Sequence, residues 1–185
     1  MNQIKLTTPL TDEVVKQLHV GDQVLLSGVI YTGRDAAHKR LIQLLKENKP
    51  LPFECQDQII YYVGPAPAKP GFRVGSAGPT SSYRMDTYTP ALLERGLKGM
   101  IGKGRRNAQV VEAMKQYNAV YLGAIGGAAA LISKCIEESE IIAFEDLGAE
   151  AIHRYVVKDM PLIVLIDCQG NDIFEIEEAN YRIEE

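Results

Sequence analysis

Short β-rich runs alternate with segments of helical periodicity along most of this sequence, and that alternation narrows the architectures open to it. Residues 24–31 form an apolar, β-rich run, and residues 35–47 then carry apolar side chains at helical spacing. The same order returns at residues 99–117 and at residues 119–136. Such alternation predicts an α/β fold with a mixed, partly parallel sheet, because parallel neighbours need a crossover connection that is usually helical.

The remaining segments contain more predicted strands than helices. The runs that predict strands lie at residues 59–64, 72–76, 141–144, 155–157 and 162–166. Thr89 followed by proline has the form of a helix start, and Gly96 is placed to end that helix. The strand-rich ends of the chain indicate a second, mixed β layer.

Length and charge restrict the classes of function. The chain has 185 residues, of which 46% are hydrophobic, and this suffices for a single domain over residues 1–185. The formal net charge of -4 implies no broad basic surface, so nucleic acid is not an expected partner. The N-terminus has no apolar signal core, and no uncharged stretch reaches the roughly 20 residues of a membrane span. We therefore expect a cytoplasmic protein with no membrane contact.

The three cysteines do not have the spacing of a metal site. Cys55, Cys135 and Cys168 are odd in number, far apart and without a Cys-x-x-Cys pair. This argues against a disulfide framework and against a self-contained zinc or iron-sulphur site. We interpret the three as small buried or half-buried thiols, and we expect this chain to bind no metal by itself.

The first motif with residue types used in binding and catalysis spans residues 33–38. It lies between the strand at 24–31 and the helix that follows it. Arg34 precedes the positive end of that helix, Asp35 is able to cap it, and His38 lies one turn further on. An arginine at this place can make a bidentate contact with a carboxylate. The alternative is a surface pair of Arg34 with Asp35, with His38 on a solvated face.

The second and third motifs also present polar groups beside predicted elements. Residues 78–86 combine a Gly-Pro turn with three hydroxyl residues, Thr80 among them, and with Arg84. A hydroxyl needs a neighbouring group to make it a base, and an ordinary Ser/Thr turn explains the segment equally well. Residues 102–107 place Lys103 between two glycines, where it can approach an anion closely, but they match neither a phosphate loop nor a dinucleotide fingerprint.

A fourth stretch, residues 123–130, is rich in glycine and alanine at the predicted start of a helix. Tight backbone packing is the simpler interpretation, and anion contact at the helix N-terminus is the other. Each of the three preceding motifs carries a cation at a comparable place in its strand–loop–helix unit. Together they predict a convergent site for a small anion, such as a carboxylate.

These motifs resemble those of a known family. Residues 32–38, 78–86 and 102–104, together with 60–65 and 123–127, resemble the C-terminal catalytic domain of class I fumarases, which is a separate β subunit in many prokaryotes. The resemblance extends from about Leu6 to Asp172. It implies a swivelling β/β/α fold and the reversible hydration of fumarate to (S)-malate.

The resemblance also implies roles for particular residues and for a partner. Arg34 and Arg84 would bind substrate carboxylates, Lys103 would add positive charge, His38 would be a further member of the substrate site, and Thr80 would move the C3 proton. The [4Fe-4S] cluster of the family would be held by three cysteines of an α subunit, over which this chain closes. The expected assembly is a homodimer or a heterotetramer with that subunit.

Two further functions remain open at the level of the sequence. The β subunits of L(+)-tartrate dehydratases share the same plan, and residues 81–83 stand where fumarases often have other residues. The third hypothesis is a non-catalytic binding or assembly module that has kept the fold. That hypothesis would be favoured if Arg34, Thr80, Arg84 and Lys103 did not converge in space.

Overall fold

The computed structural model is a mixed α/β fold, and it describes residues 3–68, 70–71, 73–124 and 129–181. The α-helices and strands of these residues are, in chain order, β1 (Ile4–Thr7), α1 (Asp12–Val15), β2 (Gln23–Thr32), α2 (Asp35–Lys46), β3 (Ile59–Tyr61), α3 (Thr89–Glu94), β4 (Gly99–Gly102), α4 (Ala108–Tyr117), β5 (Val120–Ala124), α5 (Ala129–Cys135), β6 (Ile136–Ala143), β7 (Ile152–Ile166) and α6 (Ile173–Tyr181). Two 3-10 helices span Ser82–Met85 and Glu145–Glu150. No helix among the described residues is long and apolar enough to cross a membrane.

The strands form one mixed sheet with the order β1-β2-β3-β4-β5-β7-β6. Strands β1 to β5 pair in parallel, whereas β7 runs antiparallel to β5, to β6 and also to β2. Because β7 pairs with both β5 and β2, strands β2, β3, β4, β5 and β7 form a closed ring. The predicted mixed, partly parallel sheet is thus confirmed.

Alternate residues of the central strands enter two separate hydrophobic cores. In β3, Ile59 and Tyr61 face a core shared with β1, β2 and β7, while Ile60 faces a core shared with α2, α3 and α4. The period-two alternation of a strand explains why neighbouring residues go to opposite faces. Helices α2, α3 and α4 therefore lie on one side of the parallel strands, and strand β7 with α1 and α5 packs on the other, which agrees with the predicted β/β/α arrangement.

Several predicted elements agree closely with the structure because their local signals are strong. Helix α4 begins after Asn107, whose side-chain oxygen accepts a hydrogen bond from the Val110 amide at 2.9 Å. Gly96 follows α3 with a φ of 92°, as expected of a residue that ends a helix. Strand β2, helix α2 and strand β4 also lie where the sequence placed them.

Other predictions were wrong or incomplete. The strand predicted at residues 72–76 is not formed by the described residues 73–76, and residue 72 lies outside them. The two strands predicted at 155–157 and 162–166 are one strand, β7, which contains Pro161. Strand β7 continues through this region because it contains a β-bulge. The β2–β7 register shifts between Leu26 and Gly28, and Asp159 adopts a φ of 48°.

One element and one boundary were not predicted from the sequence. The acidic segment from residue 176 belongs to α6 up to residue 181, with residues 176–180 exposed, and residues 182–185 lie outside the described part. The helix predicted to reach residue 136 ends at Cys135, and Ile136 opens β6. These boundaries depend on which neighbour each segment packs against, and local periodicity does not report that.

Candidate functional site

Three adjacent parallel strands, β2, β3 and β4, end at the same edge of the sheet, and the loops that follow them carry the predicted site residues. We call this the carboxyl edge. The strand ends are joined there: the Gly33 amide donates to the Tyr61 carbonyl at 3.0 Å, and the Tyr62 amide donates to the Ile101 carbonyl at 2.8 Å. Ligands of open α/β sheets bind outside the carboxyl ends of the strands.

Arg34 stands between the end of β2 and the first turn of α2, in an extended conformation with φ -120°. Its side chain is about three-quarters buried, and its Nε lies 3.2 Å from Oε1 of Glu150. The other carboxylate oxygen of Glu150 accepts a hydrogen bond from the Ala36 amide at 3.3 Å. The surface pair of Arg34 with Asp35 considered from the sequence is therefore not formed, because Glu150 occupies the place of the acid.

His38 lies beneath Arg34 and is fully buried. Its Nδ1 is 2.8 Å from the carbonyl oxygen of Arg34, and because a carbonyl only accepts, Nδ1 carries the proton. Burial is the main cause that lowers the pKa of His38 to about 4, so the ring is neutral near pH 7. The solvated face considered for His38 is thus excluded, and the imidazole fixes the backbone of Arg34.

Thr80 reaches the carboxyl edge by a direct hydrogen bond to the end of β3. The Thr80 amide donates to the carbonyl of Tyr62 at 2.7 Å, and the residue is half-buried. Ser81 then pairs with Lys103 in an isolated parallel bridge, and the Ser82 amide donates to the Lys103 carbonyl at 3.0 Å. The segment that carries Thr80 therefore runs beside the end of β4, next to Lys103.

Ser82 fixes this arrangement through its side chain. Its Oγ accepts hydrogen bonds from the Lys103 amide at 3.1 Å and from the Tyr121 hydroxyl at 2.8 Å. A Cβ at Gly102 would lie only 1.9 Å from Ser82 Oγ, so only glycine fits at that position. The glycine before Lys103 is consequently needed for packing against Ser82, which the sequence did not reveal.

Arg84 belongs to the 3-10 helix Ser82–Met85 and turns towards the start of α2. Its Nε donates to Oδ1 of Asp35 at 2.9 Å. Asp35 was expected to cap α2, but the helix begins at Asp35 itself, and its carboxylate binds Arg84 across the site. The structure thus brings Arg34, Thr80, Arg84 and Lys103 to one edge of the sheet.

A buried charged network supports the edge from below, and sequence reasoning did not assign it. The Arg106 side chain donates through Nε to Oδ1 of Asp86 at 2.6 Å and through Nη2 to Thr89 at 2.9 Å. Its guanidinium carbon lies 5.2 Å from the ring centre of Tyr62 and 5.0 Å from that of Tyr121. Asp86 and Arg106 fall inside two of the motifs, but nothing in the sequence marked them as buried and paired.

The carboxyl edge is open and rich in positive charge. Lys103 and Arg84 are exposed, and Arg34 is partly exposed. A cavity of about 590 Å³ lies instead at the amino edge of the sheet, where its lining includes Phe53 and Arg95. The fourth stretch of the sequence, residues 123–130, has residues 125–128 outside the described part, so the structure does not address its anion-binding interpretation.

The cysteines of this chain do not fit a cluster-binding role. Cys55 and Cys168 are buried, Cys135 is partly buried, and none of the three forms a disulfide. Burial raises the pKa of Cys55 to about 12 and raises the pKa of the other two thiols, which opposes the thiolate that iron requires. Among the described residues, no group of three or more potential ligands could hold a metal ion.

Comparison with known proteins shows the family of this chain. Residues 1–177 match the family described as Fumarase C-terminus. The chain is 39% identical over 178 residues to an anaerobic class I fumarate hydratase of Escherichia coli, and 37% identical over 177 residues to fumarate hydratase 2 of Leishmania major. These alignments cover 94% and 93% of this chain but 32% and 31% of the relatives.

A shorter relative matches along nearly its whole length. This is a Methanocaldococcus jannaschii protein named "Putative L(+)-tartrate dehydratase subunit beta", 38% identical over 182 residues, with 95% of this chain and 92% of the relative covered. The chain thus spans about a third of the fumarate hydratases it matches. It spans almost all of a protein named as a β subunit.

Proposed function

The chain belongs to the fumarase C-terminus family of hydro-lyases, and from this premise we propose that it is the β subunit of an enzyme that reversibly hydrates fumarate to (S)-malate. One observation carries the proposal. Arg34, Thr80, Arg84 and Lys103 come from three separate motifs, and all four follow or contact the ends of adjacent parallel strands. Two guanidinium groups, an ammonium group and a hydroxyl suit a small dicarboxylate.

Arg34 and Arg84 would hold the two substrate carboxylates. A guanidinium presents a planar fork of N–H donors, so it fixes the direction of a carboxylate as well as its position. Lys103 adds a point charge beside the Thr80 segment. His38 does not reach solvent, and we propose that it serves the substrate site through the Arg34 backbone that it holds.

Thr80 would handle the proton at C3. Hydration adds the hydroxyl group of water to C2 and a proton to C3, and the reverse reaction removes both. A threonine hydroxyl gives up its proton more readily beside positive charge, and the cations of the carboxyl edge provide that surrounding. Thr80 is only partly buried at this edge, which leaves part of its surface open to a substrate.

The remaining catalytic group would come from a partner. Because the thiols of this chain do not fit a cluster, we place the [4Fe-4S] cluster on an α subunit that covers the carboxyl edge. The name of the M. jannaschii relative, a β subunit, supports the presence of such a partner. The exposed Tyr83, next to Arg84, lies on the side that this subunit would cover.

The second candidate function is that of an L(+)-tartrate dehydratase β subunit. The observation in its favour is the coverage of 92% of a relative with that name. Tartrate has a second hydroxyl, so the residues around its C3 should distinguish the two substrates, and Ser81 is half-buried beside Thr80. A non-catalytic assembly module is less well supported, since it gives no reason for four polar groups to converge.

The test is anaerobic reconstitution with a candidate α subunit, a chain that carries three well-separated cysteines. We expect fumarate hydration with a higher kcat/KM than L(+)-tartrate dehydration, and no turnover by this chain alone. A preference for tartrate would establish the second candidate. Turnover by the isolated chain would contradict the division of the active site between two subunits, and failure of the assembled pair on both substrates would support an assembly module.

A further inference from the structure

Glu150 contacts Arg34 in a way that leaves the outer part of the guanidinium available. The contact is through Nε, at 3.2 Å from Oε1, and it is an ion pair without hydrogen-bond alignment. Among the described residues, no hydrogen bond is made to the terminal nitrogens Nη1 and Nη2 of Arg34. Those two nitrogens present parallel N–H donors that can form a bidentate contact with an incoming carboxylate.

Glu150 is itself fixed at the start of α2. Its second carboxylate oxygen accepts from the Ala36 amide, one of the helix N–H groups that lack an intrahelical partner. Negative charge is favourable at this end of a helix. Glu150 thus joins the 3-10 helix Glu145–Glu150 to α2 and contacts Arg34 at Nε.

Gly64 supplies the space in which the Arg34 side chain lies. A Cβ at this glycine would come within 2.8 Å of Nη1 and 2.9 Å of Cδ of Arg34, and within 3.2 Å of the Ala149 carbonyl. The side chain therefore passes directly over the backbone after β3. Movement of Arg34 is limited by its contacts with Gly64 and with Glu150.

The second arginine of the site also meets its acid at Nε, but through an aligned hydrogen bond of 2.9 Å. Arg84 also uses Nε for its intrachain partner, Asp35, and no hydrogen bond among the described residues uses its terminal nitrogens. Arg34 and Arg84 come from different motifs, and each has an acidic side chain at Nε. In both, the described residues form no hydrogen bond with the two terminal nitrogens. An acid that competed for the ligand's position would instead engage the terminal nitrogens.

We propose that Glu150 is a positioning residue for Arg34, and that Gly64 is the glycine whose missing side chain makes this position possible. The inference rests on the proposed function, since it concerns how the carboxylate-binding arginine is oriented. An arginine side chain that is already oriented loses less conformational entropy when the substrate binds. Glu150 acts through Arg34 and does not touch the substrate.

A double-mutant cycle in the assembled enzyme tests this inference. Glu150→Gln keeps an oxygen that can accept from the Ala36 amide and removes the charge that holds Arg34. We expect it to lower kcat/KM about tenfold, which is about 1.4 kcal/mol and lies within the coupling energies of contacting residues. The larger part should be a rise in KM, because carboxylate binding is weakened in the ground state and in the transition state alike.

The cycle is closed by repeating Glu150→Gln in an Arg34→Lys background. If Glu150 acts through the Arg34 guanidinium, adding Glu150→Gln to the Arg34→Lys variant should change kcat/KM by less than about twofold. Competitive inhibition by succinate, which has both carboxylates and no double bond, separates binding from chemistry. Its inhibition constant should rise about tenfold in Glu150→Gln with Arg34 intact.

A matched control comes from the same segment. Asp146 pairs with Arg40 of α2 at 2.5 Å, so it also joins residues 145–150 to α2, but both side chains are more exposed than those of Arg34 and Glu150. Asp146→Asn should leave KM and the succinate constant unchanged. Gly64→Ala is a second variant on Arg34, and it should raise KM as Glu150→Gln does.

The outcomes separate the inference from the function it rests on. If Arg34→Lys has wild-type kinetics, the proposed site is wrong and the inference fails with it. If Arg34→Lys is impaired but the Glu150→Gln effect is additive to it, the function stands and the positioning role is overturned. A fall in KM for Glu150→Gln would also overturn it, since Glu150 would then be a competitor of the substrate.

Discussion

The three hydroxyl residues of the 80–82 segment have different surroundings, although the sequence presents them as equals. Ser82 is buried, and its Oγ accepts two hydrogen bonds that hold the end of β4. Thr80 and Ser81 are half-buried at the carboxyl edge. A structural role for Ser82 therefore leaves Thr80 and Ser81 as the hydroxyls that can meet a ligand.

We expect Thr80→Val to lower kcat about a hundredfold or more, within the range of general acid-base contributions, with little change in KM. Valine keeps the branched shape and removes the hydroxyl, while the arginines still hold the carboxylates. Ser81→Ala is the matched control and should have a smaller effect on kcat. Steady-state kinetics of the assembled enzyme decide the matter, and near-normal kcat for Thr80→Val with a loss for Ser81→Ala would move the proton-transfer role to Ser81.

Arg84 allows a test of charge against shape. Arg84→Lys keeps the positive charge but replaces the planar fork by a compact ammonium group, so it cannot bind Asp35 through Nε and a carboxylate through the terminal nitrogens together. We expect kcat/KM to fall roughly ten- to a hundredfold, as for a lost charged hydrogen bond. Arg105→Lys, on an exposed residue that pairs with Glu178, is the control and should be neutral. Equal kinetics for wild type and Arg84→Lys would make Arg84 a surface residue.

At the scale of elements, the Asp86–Arg106 pair joins the 3-10 helix Ser82–Met85 to the start of α4. One carboxylate oxygen of Asp86 accepts from Arg106, and the other accepts from the Asn107 amide at 2.8 Å. The side chain of Arg106 is fully buried, so loss of its partner leaves an uncompensated charge in the core. The segment that carries Thr80 and Arg84 depends on this pair for its position.

We therefore expect Asp86→Asn to destabilise the chain by about 3–5 kcal/mol, the typical effect of breaking a buried ion pair. An asparagine amide has the size of the carboxylate but brings no charge to Arg106. Glu112→Gln, which breaks an exposed pair with Lys115 on the same helix, should cost less than about 1 kcal/mol. Chemical denaturation of the isolated chain measures the loss in the free energy of unfolding for both variants. Equal losses would show that the buried Asp86–Arg106 pair stabilises the chain no more than an exposed pair does.

At the scale of the whole molecule, buried His38 links global stability to pH. Its pKa is lowered to about 4, from an ordinary value of 6.5, chiefly by burial. Between these two values the unfolded chain binds the proton and the folded chain does not. Stability contributed by the neutral ring is thus fully present above pH 6.5 and is lost as the pH falls towards 4.

We expect the free energy of unfolding to fall by up to about 3 kcal/mol more in the wild type than in His38→Asn between pH 6.5 and pH 4. Asparagine can still donate to the Arg34 carbonyl and does not titrate in this range. His19→Asn, at an exposed histidine, is the control and should keep the wild-type pH dependence. Denaturation at a series of pH values provides the measurement, and parallel curves for wild type and His38→Asn would contradict the shifted pKa.

The sequence by itself determined the elements whose signals are local. Helix α2, helix α4 with its Asn107 cap, and strands β2 and β4 follow from periodicity and capping within a dozen residues. It also predicted Arg34, Thr80, Arg84 and Lys103 as site residues, because each lies in a short motif between a strand and a helix. Their residue types and the family resemblance sufficed to propose the ligand class.

Tertiary structure alone decided which groups meet. Glu150 reaches Arg34 from more than a hundred residues away, and Asp35 binds Arg84 instead of capping its own helix. The burial of His38 and Arg106, and the ring closed by β2 and β7, likewise depend on contacts between distant parts of the chain. No local pattern encodes such contacts, because they arise when whole layers of secondary structure pack together. The charge of a side chain and the periodicity of its segment do not show which remote surface will cover it.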